Sequence, residues 1–100
     1  MSQARDIAIE FTSLVAPVQA EGRVAGHPFY FRARFSAWTF AIALIDALDP
    51  VDIDATTAAA TGFFRAGKVA GAYGASYMAR ADAEAIIRAL ASEFLDQSPR

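Results

Sequence analysis

His27–Leu44, HPFYFRARFSAWTFAIAL, alternates with a period of two, the signature of strands with one buried face. In Pro28–Phe35 one parity gives Phe29, Phe31, Ala33 and Phe35, and the other gives Tyr30, Arg32 and Arg34. In Trp38–Ile45 the apolar parity is Trp38, Phe40, Ile42 and Leu44, opposite Thr39, Ala41, Ala43 and Ile45. Aromatic and β-branched side chains suit such a pleated surface. Pairing Phe35 with Trp38 brings Ala33 to Phe40, Phe31 to Ile42 and Phe29 to Leu44, all on one face. A four-residue loop over Phe35–Trp38, closed by Arg34 and Thr39, keeps that register.

Upstream, Ala25-Gly26 is a turn signal. Closing it with Val24 opposite His27 sets Gly22 against Phe29, Ala20 against Phe31 and Glu21 against Tyr30, diagonal to Arg32 and within reach of an ion pair. The expectation is an α+β fold built on a three-stranded antiparallel meander over residues 18–45. In Gly62–Ala79 four glycines, Gly62, Gly67, Gly71 and Gly74, argue against a helix. One or two short strands there, at Phe63–Arg65 and Ala75–Met78, extend the sheet.

Two helices are expected to cover the greasy face. The C-terminal one, Asp82–Gln97, has Asp82 as N-cap, an apolar stripe of Ala83, Ile86, Ile87, Leu90 and Phe94, and a Glu84–Arg88 pair at i,i+4. The N-terminal one, Ser2–Ala16, places Ile7, Phe11 and Leu14 on a helical stripe and ends at Pro17. The same stretch also alternates through Ile7, Ile9 and Phe11 as a strand would, and helix is preferred because the meander needs cover. Asp54 is read as the N-cap of a short helix, Ala55–Thr61.

One hundred residues make a single domain, 1–100. Nine basic and eleven acidic residues give a net charge of −2, with no electrostatic pull toward nucleic acid or an anionic membrane. The absence of cysteine excludes disulfides, thiol catalysis and thiolate metal sites. The apolar run Phe35–Ile45 is too short to span a bilayer. Asp6 and Glu10 interrupt what would be a signal peptide, so the expected location is cytoplasmic.

Two candidate sites emerge. Tyr30, Arg32 and Arg34, with Arg23 across the meander, set an aromatic ring and guanidiniums on the solvent face, able to stack and to grip carboxylates or phosphates. Asp46, Asp49, Asp52 and Asp54 form an acidic loop, broken by Pro50 and suited to a basic partner. It lacks the calcium-loop pattern, because no glycine stands sixth and no glutamate twelfth. The glycine-rich stretch Gly67–Gly74 could hold an anion with Lys68 but has neither P-loop nor dinucleotide spacing. His27, the sole histidine, reads as a turn residue.

No catalytic constellation is found and no cofactor is implied. The expected function is a non-catalytic protein-binding domain of the adaptor, regulator or inhibitor kind, phage-borne inhibitors being one analogy. Nucleic-acid binding through Tyr30, Arg32 and Arg34 is the alternative. An enzyme or metal site at Asp46–Asp54 is the third reading. Unless residues 62–78 cover it, the charge-poor strand Trp38–Ile45 is expected to pair with a symmetry mate in a homodimer.

Overall fold

The computed structural model describes residues 7–14, 18–44, 49–53, 62–71, 74–75 and 78–97. Among them run strands β1 (Ile7–Leu14), β2 (Val18–Val24), β3 (His27–Arg34), β4 (Ala37–Ala43) and β5 (Gly62–Lys68). A 3-10 turn, Pro50–Asp52, lies between β4 and β5, and helix α1, Arg80–Gln97, follows β5. All neighbouring strands are antiparallel, in the order β1-β2-β3-β4-β5. The class is α+β, and among the described residues the sheet has five strands rather than a three-stranded meander lengthened by short strands: β1 adds at one edge, where a helix was expected, and β5 at the other.

The β2–β3 hairpin has the register that the turn signal implies, with Val24 opposite His27, Gly22 opposite Phe29 and Glu21 opposite Tyr30. Ala25 and Gly26 both take positive φ, 51° and 87°, the pattern of a I′ turn that suits twisted strands. Alanine pays a steric penalty there that asparagine or glycine largely avoids. Ala25→Asn is therefore expected to stabilise the domain by about 1 kcal/mol and to raise Tm by about 4–8 °C, readable in a thermal melt.

The β3–β4 hairpin differs from expectation by two residues. Arg34 pairs with Ala37 and Ala33 with Trp38, so the turn is Phe35-Ser36. A two-residue slip preserves parity, so the inward residues of both strands stay inward. The reason lies in volume. Trp38 now sits between Ala33 on β3 and Gly67 on β5, and a Cβ built on Gly67 would fall 2.4 Å from the indole. Phe35 is displaced into the turn at φ 58°, and it and Leu44 are exposed rather than core. The chain leaving β5 satisfies the turn's carbonyls: Val69 N–H donates to Ser36 O at 2.9 Å and Ala75 N–H to Phe35 O at 2.7 Å.

The expected N-terminal helix is replaced, over Ile7–Leu14, by β1. It pairs with β2 from Ile7↔Val24 to Leu14↔Val18, with a register shift between Phe11 and Ser13. Residues 2–6 and 15–16 of that expectation lie outside the described residues. The cover argument fails on dimensions. α1 has 18 residues, about 27 Å of length, against about 19 Å for five strands. One helix crosses the whole sheet and leaves the free edge of β2 to be satisfied by a strand. Ala83, Ile87, Ala91 and Phe94 of α1 join Val18, Ala20, Phe29, Phe31, Phe40, Ile42 and Phe63 in one core. α1 begins two residues before its expected cap, so Asp82 lies in the first turn, where a negative charge favours the dipole. The Glu84–Arg88 pair forms at 2.9 Å. Arg65, lying over the Phe63 ring at 4.3 Å, donates through Nε to Glu93 at 2.9 Å and ties β5 to α1.

β5 realises one of the two short strands expected in 62–79. Ala75 lies in a turn and Met78 is buried without strand pairing; residues 76–77, like the short helix expected at 55–61, lie outside the described residues. Because β5 pairs along the whole of β4, the edge that motivated a homodimer through Trp38–Ile45 is occupied within the chain. On the face away from α1, Ala41 and Ala43 lie on the outward parity of β4. They are buried beneath Ile53 with Phe64, in a second small cluster. Among the described residues no helix is long and apolar enough to cross a membrane.

Candidate functional site

The face opposite α1 is ordered by the strand register. One cross-strand row reads Glu10, Glu21, Tyr30, Ala41, Phe64. The next row, toward the Ala25-Gly26 turn, holds Arg23 opposite Pro28. On the other side come Gln19, Arg32, Thr39 and Ala66, then Arg34, Ala37 and Lys68. Ile53, buried against Ala41 and Ala43, pins the 49–53 segment above this face. The segment starts at Asp49, whose Oδ1 accepts from Val51 N–H at 3.1 Å and caps the 3-10 turn.

Beneath that overhang lies an open cleft of about 780 Å³, with Glu10, Gln19, Glu21, Arg23, Tyr30 and Asp49 among its lining. The structure thus brings together Arg23 and Tyr30 from one sequence candidate and Asp49 from the other. Asp52 lies in the turn backbone, and Asp46 and Asp54 lie outside the described residues. Arg32 and Arg34 do not line the cleft. Arg34 instead rests over the Phe35 ring at 4.9 Å.

The cleft is acidic. Three carboxylates face one guanidinium, and that guanidinium is engaged, since Arg23 Nη1 donates to Gly26 O at 2.9 Å. Glu10 and Glu21 stand directly opposite one another, an arrangement that destabilises a sheet. Among the described residues neither forms an ion pair, and the expected Glu21–Arg32 contact is not made. Nor do any three His, Asp or Glu side chains gather closely enough to hold a metal ion among the described residues.

Glu10 and Gln19 were missed as site residues, and Glu21 counted only as a charge opposing the arginines. Their convergence requires β1 to be a strand, and the alternation of Ile7, Ile9 and Phe11 was the available signal. Gly67 accommodates the indole of Trp38 within β5. His27 stands edge-on to Phe94 at 6.0 Å, on the α1 side of the sheet and so on the face opposite the cleft. No family model, curated protein or solved structure matches this chain, so the surface chemistry carries the functional reading.

Proposed function

We propose that this chain is a non-catalytic binding domain for another protein, and that the cleft between the 3-10 turn and β1–β3 receives a basic side chain of that partner. The observation that carries this reading is the unpaired Glu10–Glu21 juxtaposition beside Tyr30 and Asp49 in one cleft. Carboxylates give an arginine or lysine charge-assisted hydrogen bonds, and the Tyr30 ring adds a cation–π contact of about 0.5–1 kcal/mol. The same charges repel a phosphate backbone, which favours a basic protein segment over nucleic acid at this cleft.

The reading makes a paired prediction. Glu21→Lys relieves the like-charge pair and sets an ammonium opposite Glu10, so the free domain is expected to gain about 0.2–1 kcal/mol. The same change places a positive charge where the ligand's must sit. Titration with arginine- and lysine-containing peptides, followed through backbone amide shifts at Glu10, Tyr30 and Asp49, is expected to weaken at least ten-fold in the variant. Unchanged peptide affinity in a folded Glu21→Lys protein would remove the cleft from the proposal.

A further inference from the structure

The polar face carries a second charged region, beyond the cleft and opposite to it in sign. Arg34, Ala37 and Lys68 lie side by side in one cross-strand row, and Arg32, Thr39 and Ala66 in the next. β3 and β5 are two strand spacings apart, about 10 Å, so the long side chains of Arg34 and Lys68 can meet above the alanine between them. Ala37 and Ala66 are exposed and leave the floor between the cations low and open. Among the described residues the ion pairs are Arg65–Glu93 and Glu84–Arg88, and Arg32, Arg34 and Lys68 take part in neither. Arg32 adds an unmet donor to this region. Its Nε–H is shielded from solvent and has no acceptor, and a buried donor left unpaired costs about 1–3 kcal/mol.

We propose that Arg32, Arg34 and Lys68, with the Thr39 hydroxyl, form a binding site for a phosphate monoester. Guanidiniums fork onto phosphate oxygens, a lysine adds a point charge, and the hydroxyl supplies a further donor. Three cations match a monoester, which carries about −1.5 to −2 at neutral pH, better than the single charge of a diester or a carboxylate. Turning outward onto a phosphate oxygen would give Arg32 Nε–H the acceptor that it lacks in its shielded position. Because Glu10, Glu21 and Asp49 take no part, failure of this site and failure of the basic-peptide cleft are separate results.

The test follows the Arg32 Nε–H signal by NMR during titration with inorganic phosphate at fixed ionic strength, with chloride as control. A saturable shift at Arg32 Nε–H and Thr39 is expected, absent with chloride. The double variant Arg34→Gln/Lys68→Gln alters only exposed side chains, so its melt should match the wild type while phosphate affinity falls at least ten-fold. A phosphoserine peptide that outbinds inorganic phosphate, its unphosphorylated form being inert, would assign the ligand to a modified protein. Equal affinities would assign it to a free phosphate compound. An identical response to chloride, undiminished binding by the double variant, or tighter binding of a single-stranded oligonucleotide than of phosphate would overturn the proposal.

Discussion

Phe40→Ala is expected to lower the stability of the domain by about 3–5 kcal/mol, the usual cost of deleting a buried aromatic ring. Phe40 is at 0% exposure in the middle of β4. Its ring lies 5.4 Å from that of Phe29 and 6.2 Å, edge-on, from that of Phe63. Phe63 in turn meets Phe94 of α1 at 5.4 Å. Removing Phe40 therefore opens a cavity and breaks the aromatic chain joining β3, β5 and the helix, and each such ring pair contributes about 0.5–1.5 kcal/mol beyond area burial. A domain of this kind holds about 5–15 kcal/mol in total, so the variant should sit near the folding threshold. Urea unfolding should show a lower midpoint with an unchanged slope. The same change at Phe35, 52% exposed at the tip of the β3–β4 turn, is expected to cost within about 0.5 kcal/mol. Similar losses at the two positions would contradict the observed β3–β4 register, because the expected register made Phe35 a core residue.

That contrast marks where legibility ended. The inward parity of β3 and β4 was readable because alternation has a fixed period and both strands carry large apolar residues on one side only. The register between them was not, because slips of two residues preserve parity and the deciding partner, Gly67, lies on a strand that local pattern barely announces. The β1 segment carried both periodicities in Ile7, Ile9, Phe11 and Leu14. Choosing between them needed the width of the finished sheet, a quantity that depends on β5. The site suffered the same dependence. Tyr30 and Arg23 were visible as outward residues, and Asp49 as part of an acidic run. Their meeting in one cleft rests on Ile53 docking over Ala41 and Ala43, which hydrophobicity alone does not distinguish from docking elsewhere.

The charge pattern of the polar face follows from the same assembly. Glu10 reaches Glu21 only when β1 adds to β2, and Lys68 reaches the row of Arg34 only when β5 adds to β4. In a three-stranded meander Glu21 would have no acidic neighbour across the sheet and the arginines would form a lone basic patch. The two outer strands convert one mixed surface into an acidic region and a basic region. A partner segment crossing the strands would therefore meet charges of both signs, fixing its direction as well as its position.

The addition of β1 depends in turn on one missing side chain. A Cβ built on Gly22 would lie 1.8 Å from the carbonyl oxygen of Ala8 and 2.9 Å from the Phe29 ring. The first obstacle is backbone, which cannot rotate aside as a side-chain end can, so even Gly22→Ala must push β1 away from β2 between Ile7 and Glu10. The expected loss is about 3 kcal/mol, the upper end of overpacking costs. Hydrogen-exchange protection should fall first in β1, while the β3–β4 pairing persists to higher denaturant. Gly26→Ala provides the comparison. A Cβ there meets nothing within 4 Å, but φ is +87°, so its cost is conformational alone, about 1–2 kcal/mol, and leaves β1 protection intact. If Gly22→Ala separates β1, it should also part Glu10 from Glu21 and weaken basic-peptide binding in a protein that remains folded around Phe40. Retained peptide affinity with β1 unprotected would show that Glu10 contributes nothing to the cleft.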